Sequence, residues 1–392
     1  MTETNAPLRV AMIGYAFMGR AHSHAWRTAP RFFDLPLRPE TAVLVGRNRA
    51  NAEEAARTMG WSEVLTDWRE AVERDDIDLV DICTPGNTHA EIAVAALRAG
   101  KHVLVEKPMA NTLAEGEAMV RAAHEAAASG ARAMVGFTYR RVPAVQLARQ
   151  LVAEGRIGEV RQVRAQYLQD WLADAEAPLS WRLDKEKAGS GALGDIGAHI
   201  VDLTHFITGQ QLTGVSAMLD TFVTERPVAE SFAGLHGTGG SERGPVTVDD
   251  AAFFLGRLSG GAPAVFEATR FAWGRKNAMR IEIAGSKGAI SFDFEDMNVL
   301  GLYDADDDAR TAGFRRILVT EPEHPYIERW WPAGHGLGYE HGFTHQVVDL
   351  VTALADGTQP EPSFDDGLAV QRVLDAVERS AAAGSTFTEI GV

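Results

Sequence analysis

Short apolar runs alternate with helix-spaced apolar positions through the first third of the chain. Leu8–Ile13, Thr41–Val45, Leu79–Cys83 and His102–Val105 read as strands, and runs this short and continuous suit strands buried on both faces. Helical spacing follows Gly19 through Trp26, and returns at Ala50–Met59 and Glu117–Ala128. Thr88, with Glu91 three residues on, predicts a capping box opening a helix that Gly100 closes. Pro30–Pro39 reads as a surface loop. Strand–helix alternation of this kind predicts parallel βαβ units in an α/β, doubly wound sheet.

The pattern changes after about residue 136. Val160–Leu168, Val215–Val223, Ala251–Leu258 and Ala264–Thr269 read as strands. Met279, Ile281 and Ile283 alternate with polar residues, Gly285–Gly288 turns the chain, and Ile290, Phe292 and Phe294 alternate again, which predicts a hairpin. Helices are predicted at Val145–Glu154, Gly197–Thr208, Gly342–Ala355 and Asp366–Ala382. The expectation is therefore an α/β domain over residues 1–135 and an α+β domain with a large, mostly antiparallel open sheet over 136–392.

Composition removes several classes of function. The 392 residues carry 38 basic and 54 acidic side chains, a net charge of −16. That sign disfavours a nucleic acid or an anionic lipid surface as partner. No apolar run reaches the ~18 residues of a membrane span, and Met1–Leu8 has neither the basic nor the apolar part of a secretory leader, so a cytoplasmic protein is expected. The single cysteine, Cys83, lies in an apolar run and excludes a disulfide framework. No metal is expected: His335, His341 and His345 lack a spaced acidic or cysteine partner, and Asp304–Asp308 reads as a solvated loop. His22 and His24 read as local packing.

Three places carry chemistry. Gly14-Tyr15-Ala16-Phe17-Met18-Gly19 lies between a strand and a helix, the setting of a dinucleotide-binding turn, although its middle glycine is replaced by Ala16. Helix-end amides at Ala16, Phe17 and Met18 would hold a pyrophosphate. The second strand ends Val45-Gly46-Arg47 with no carboxylate for a ribose hydroxyl, and Arg47 suits a 2′-phosphate, so NADP is favoured slightly over NAD. Glu106-Lys107-Pro108 falls at the carboxyl end of a strand, where ligands bind in such sheets. Asp195 and His199, four residues apart in a small-residue stretch, share one helix face, an arrangement suited to removing an alcohol proton.

These motifs together resemble the glucose–fructose oxidoreductase / inositol dehydrogenase / rhizopine-catabolism (Gfo/Idh/MocA) family. The carriers are the Gly14–Gly19 turn, Thr84-Pro85 with His89, Ala99–Pro108, Gly136–Arg141 and Gly194–His199. Thr138, where the family commonly has Asn, departs from the pattern. The resemblance implies a Rossmann domain followed by an open-sheet domain, with Lys107, Asp195 and His199 as the catalytic trio. It further implies a cis peptide before Pro108 that directs the lysine, and cofactor contacts from Thr84, Pro85, Asn87, His89 and Glu106 besides the glycine turn. Tyr167–Trp171, Leu179–Arg182, Thr224–Pro227, Val248–Asp250 and Glu267–Arg270 most resemble the sugar 3-dehydrogenase branch, which includes levoglucosan dehydrogenases. Trp171 and Trp181 would offer a sugar an apolar platform, and Tyr139, Gln169, Asp170 and Arg182 directional polar contacts.

The expected activity is transfer of a hydride between a secondary hydroxyl of a levoglucosan- or inositol-like ring and NAD(P). An NAD-dependent glycosidase and a non-catalytic nucleotide sensor are the alternatives. A homodimer or homotetramer joined through the second sheet is expected, because its strands carry more apolar residues than a wetted face needs.

Overall fold

The computed structural model describes residues 6–233 and 236–391; residues 1–5, part of the segment read as lacking a leader, lie outside the described residues. No described helix is long and apolar enough to cross a membrane. The chain forms two compact units, Met1–Thr138 with Gly338–Leu368, and Tyr139–Leu337 with Ala369–Val392.

In the first unit, β1 (Pro7–Ile13), β2 (Arg38–Val45), β3 (Glu63–Leu65), β4 (Leu79–Ile82), β5 (His102–Val105) and β6 (Ala133–Val135) form one parallel sheet in the order β3-β2-β1-β4-β5-β6. Strand order reverses between β1 and β4, the switch point at which such sheets open a ligand crevice. The helices are α1 (Phe17–Phe32), α2 (Arg49–Met59), α3 (Trp68–Val72), α4 (His89–Arg98) and α5 (Leu113–Ala127).

Two expectations fail locally. Pro30 lies in the last turn of α1, and Pro39 lies in β2, rather than in one long loop. Ala25, Trp26 and Ala29 keep burying the inner face of α1, which outweighs one lost helix bond at the exposed Pro30. β3 pairs with only Val43–Val45, so Pro39 lies where the outer edge of β2 is open. Thr88 does precede α4, but its hydroxyl turns back to Thr84 Oγ1 (2.7 Å) and the Pro85 carbonyl (2.8 Å) instead of capping the helix. The capping box forms at Thr112 and Glu115 on α5.

The second unit begins with α6 (Pro143–Ala153), β7 (Val160–Leu168), α7 (Lys185–Ala188) and α8 (Ala198–Thr208). Then come β8 (Leu212–Asp220), β9 (Glu225–Ala233), β10 (His236–Pro245), β11 (Ala251–Leu258), β12 (Pro263–Thr269), β13 (Ala278–Gly285), β14 (Gly288–Asp293), β15 (Val299–Asp304), β16 (Arg315–Leu318) and β17 (Thr388–Glu389). Nine strands make a sheet in the order β16-β15-β14-β13-β7-β12-β11-β8-β17, antiparallel except where β12 meets β7. The hairpin expected around Gly285–Gly288 is β13–β14. The separate β9–β10 hairpin was not foreseen. Ile281, Ile283, Phe292 and the stacked pair Phe254–Phe266 are buried on the sheet's inner face, and α8 packs against β7 and β13.

α9 (Tyr339–Ala355) returns to the first unit, where Phe343, Val347, Leu350 and Val351 join the core formed by Leu8, Trp26 and Leu44. The sequence reading, with a single boundary near residue 135, grouped this helix with the second domain. α10 (Phe364–Ala382) runs across the last unit boundary.

Candidate active site

The residues singled out in the sequence divide between the two units. In the first, Gly14 follows β1 with φ +101°, and a Cβ there would stand 2.7 Å from the Cys83 carbonyl oxygen. Only glycine supplies that dihedral and that clearance. A Cβ on Gly19 would stand 2.3 Å from the Gly14 carbonyl oxygen, so the second glycine lets α1 close onto the turn. Ala16 is the helix N-cap and offers no side-chain cap; it and Phe17 are exposed, Met18 is half-buried, and no acid occupies the first turn. With no side-chain cap and no acid in the first turn, the helix-end amides present a positive dipole end suited to a pyrophosphate.

Around this turn, Arg47 is exposed just past β2, and Tyr15 packs over Gly46. Thr84 and Pro85 follow β4 half-buried, while Asn87 is exposed. His89 is buried, and its ring spans the carbonyls of Thr84 (2.8 Å) and Pro108 (3.1 Å). Burial pushes its pKa below the usual imidazole value, with those carbonyls opposing the shift. It thus ties the loop after β4 to the one after β5. Lys107 is half-buried, and the Lys107–Pro108 peptide is cis, as the family resemblance implied.

The ring of His22 lies between Asp81 (Nδ1–Oδ1 2.9 Å) and Glu106 (Nε2–Oε1 2.9 Å), all three buried. Ligating atoms of His22, Asp81 and Cys83 lie within 4.8 Å of one another, but Asp81 already accepts from His22 and from the Trp26 indole (2.7 Å). Burial also pushes the Cys83 thiol well above its ordinary pKa. The group is a hydrogen-bonded cluster, and its donors and acceptors are taken up internally.

In the second unit, Asp195 sits on a π-helical turn, Leu193–Gly197, that runs directly into α8, and His199 lies in the first turn of α8. Single π turns inside helices recur at functional sites. His199 is buried and stacks on Tyr139, with ring centroids 4.4 Å apart. From Tyr139 a polar chain runs along the sheet. Tyr139 Oη shares a hydrogen bond with Tyr167 Oη (2.8 Å), and Tyr167 donates to Asn277 Oδ1 (2.7 Å). Gln169 donates to the same oxygen (2.8 Å), and the Trp171 indole donates to Gln169 Oε1 (2.9 Å). Asp170 points elsewhere and pairs with Lys276 (2.7 Å).

Arg270, fully buried, closes the other side. Its Nη1 lies 3.4 Å from Asp195 Oδ2, its Nη2 donates to the Asp249 carbonyl (3.1 Å), and its guanidinium lies 5.6 Å from the Trp171 ring. Asp249 in turn accepts the amides of Gly191 (2.7 Å) and Leu193 (2.8 Å), which anchors the start of the Asp195 turn. Arg182 stacks on the exposed Trp181 at 4.6 Å; burial lowers its pKa, and Asp195 opposes that shift. Sequence reading gave no role to Asn277, Arg270, Asp249 or Asp81. Arg270 and Asp249 do lie within stretches that carried the family resemblance, whereas nothing around Asn277 marked it.

Comparison with known proteins identifies the family. Residues 8–137 match the oxidoreductase family with an NAD-binding Rossmann fold, and residues 145–291 match the GFO/IDH/MocA C-terminal domain. The chain is 43% identical over 380 residues to levoglucosan dehydrogenase of Pseudarthrobacter phenanthrenivorans, covering 96% of each. Among solved structures, an oxidoreductase domain protein from Kribbella flavida superposes with a TM-score of 0.94 at 67% identity, covering 99% of this chain and 100% of that one. A levoglucosan dehydrogenase in complex with NADH and levoglucosan superposes with a TM-score of 0.92 at 41% identity, covering 98% and 100%. The chain is an oxidoreductase with an NAD-binding Rossmann domain. It belongs to the Gfo/Idh/MocA family of sugar and polyol dehydrogenases.

Asp249→Ala should leave two buried amides without acceptors and cost about 2–4 kcal/mol of stability. Denaturant unfolding checks this; an unchanged midpoint would mean that the Asp195 turn is held by other contacts.

Proposed function

We propose that the chain oxidises, reversibly, a secondary hydroxyl of a levoglucosan- or inositol-like ring, using NADP or NAD. The observation that carries this reading is the set of groups around Asp195 and His199. An imidazole stacked on Tyr139 and beside Tyr167 lies one turn from a carboxylate that pairs with Arg270, and Tyr167 and Trp171, which Arg270 faces, belong to the Tyr167–Asn277–Gln169–Trp171 chain. Alternating donors and acceptors beside indole faces suit a ring bearing several hydroxyls.

In this reading His199 takes the hydroxyl proton as general base. Lys107 donates to the same oxygen and stabilises its developing negative charge. Asp195 orients His199 or a neighbouring hydroxyl. Gln169, Arg182 and Tyr139 hydrogen-bond the ring, while Trp171 and Trp181 cover its apolar face. Gly14–Gly19 holds the pyrophosphate, with Thr84, Pro85, Asn87, His89 and Glu106 shaping the same crevice. The nicotinamide, when bound, accepts the hydride.

Cofactor absorbance with a panel of cyclic sugars tests the reading. Net reduction with levoglucosan or an inositol supports it. A cleaved sugar without net reduction would instead indicate a glycosidase that oxidises transiently, and binding without turnover a sensor. Lys107→Ala should lower kcat by about 100-fold or more, within the range for a lost proton-transfer group, with cofactor Kd little changed; wild-type turnover would remove the lysine from the reaction.

Arg47, exposed beside the end of β2, supports use of NADP. The kcat/KM with NADP should equal or exceed that with NAD. A ~100-fold preference for NAD, about 2.7 kcal/mol, would show that Arg47 meets no 2′-phosphate.

The sheet's outer face supports assembly through a second copy. Met218, Leu255 and Val265, on the adjacent strands β8, β11 and β12, are 53%, 59% and 42% exposed. Apolar area in water costs roughly 25 cal/mol per Å², and a two-fold pairing would cover the same patch twice. Light scattering should give a dimer or tetramer of the 42.4 kDa chain; a monomer at micromolar concentration would refute it.

A further inference from the structure

Asp81 is wholly buried within β4, a place where a carboxyl is costly unless something pairs with it. Its partner is His22, on the second turn of α1, which also reaches Glu106, one residue beyond β5. Both ring nitrogens therefore face carboxyl oxygens. A neutral imidazole carries one N–H and one lone pair, so it would satisfy one carboxylate and oppose the other. A ring carrying both protons satisfies both. Burial is the largest single influence and would strip the second proton, but the charge and hydrogen bond of Asp81, together with Cys83, outweigh it and hold the His22 pKa well above the usual imidazole value.

The contacts continue to Lys107. With Oε1 on His22, Glu106 turns Oε2 to the backbone N–H of Lys107 (3.2 Å). Gly136 leaves room for this carboxyl, since a Cβ there would stand 2.8 Å from Oε1. Both oxygens of Glu106 are thus engaged, one by α1 and one by the residue whose side chain is to act.

We propose that His22 is a positioning residue for Lys107: by bridging Asp81 and Glu106 it locks the Glu106 carboxyl onto the Lys107 amide and so aims the lysine from the end of β5. This rests on the reading of Lys107 as the residue that donates to the reacting oxygen. Misplacing a reacting group by about 1 Å costs on the order of 100-fold in rate, and a second-turn histidine that never meets the substrate can exert that control.

The test uses full-length His22→Gln, Glu106→Gln and Lys107→Ala in parallel. A glutamine at 22 has both its donors on one nitrogen, so it cannot reproduce the two opposed N–H groups with which the ring spans Asp81 and Glu106. We expect His22→Gln and Glu106→Gln each to lower kcat by about 10- to 100-fold, with sugar KM changed less than about 3-fold. A merely structural cluster would lower the melting temperature and leave kcat of the folded enzyme intact, which would overturn the proposal. Wild-type turnover in Lys107→Ala overturns the underlying reading instead, whatever His22→Gln does. Should His22→Gln fail to fold, Glu106→Gln supplies the kinetic test. The ring nitrogens of His22 in 15N-histidine-labelled wild-type protein, identified through the contact of the ring with Phe343, must then both carry protons at pH 8; a singly protonated ring overturns the bridge.

Discussion

The turn that joins β1 to α1 exists because nothing larger than hydrogen fits on the Cα of Gly14. A side chain there would meet the Cys83 carbonyl oxygen at 2.7 Å, and the backbone holds a dihedral that side-chain-bearing residues avoid. The turn can therefore fold tightly over the neighbouring strand and deliver α1 with its first amides open. α1, so delivered, carries His22 against Asp81 of β4 and Glu106 just after β5, next to Lys107. Ala16 does not disturb the arrangement, because its methyl group is exposed.

The second unit solves a different problem. A nine-stranded sheet gives one dry face to α8 and keeps its polar chemistry at the ends of β7, β12 and β13. Asp249 fixes the start of the Asp195 turn, and Arg270 supplies a compensating charge from within the core. A buried guanidinium is costly to desolvate, and its pairing with Asp195 and the Asp249 carbonyl offsets part of that cost. Removing either partner would leave a charge or a carbonyl stranded, which links the placement of the carboxylate to the integrity of the loop before α8.

Much of this was legible in the amino-acid sequence because the periodicities were strong. The βαβ alternation, the β13–β14 hairpin and the Asp195/His199 spacing all express local geometry. What escaped was decided by which groups the folded chain brings within reach, some of them near in sequence and others far. Pro30 belongs to a helix because Trp26 and Ala29 bury its inner face, and Thr88 gives up its cap because its hydroxyl bonds Thr84 Oγ1 and the Pro85 carbonyl instead. Asn277 matters only because Tyr167 and Gln169, over a hundred residues earlier, converge on one oxygen. His22 reads as packing because its two acids, one on β4 and one just past β5, are 59 and 84 residues away.

The return of α9 bears on how the molecule is made. Phe343, Val347, Leu350 and Val351 complete the same core as Leu8 and Trp26. A chain growing from its amino end therefore holds the nucleotide unit unfinished while residues 139–337 are translated, with one flank of α1 still uncovered. The amino-terminal portion is not a portable module, and fusing or exchanging it at residue 138 would leave behind the helix that seals it. Long-range closure of this kind slows folding, and it makes completion of the dinucleotide unit wait for Gly338–Leu368 to emerge.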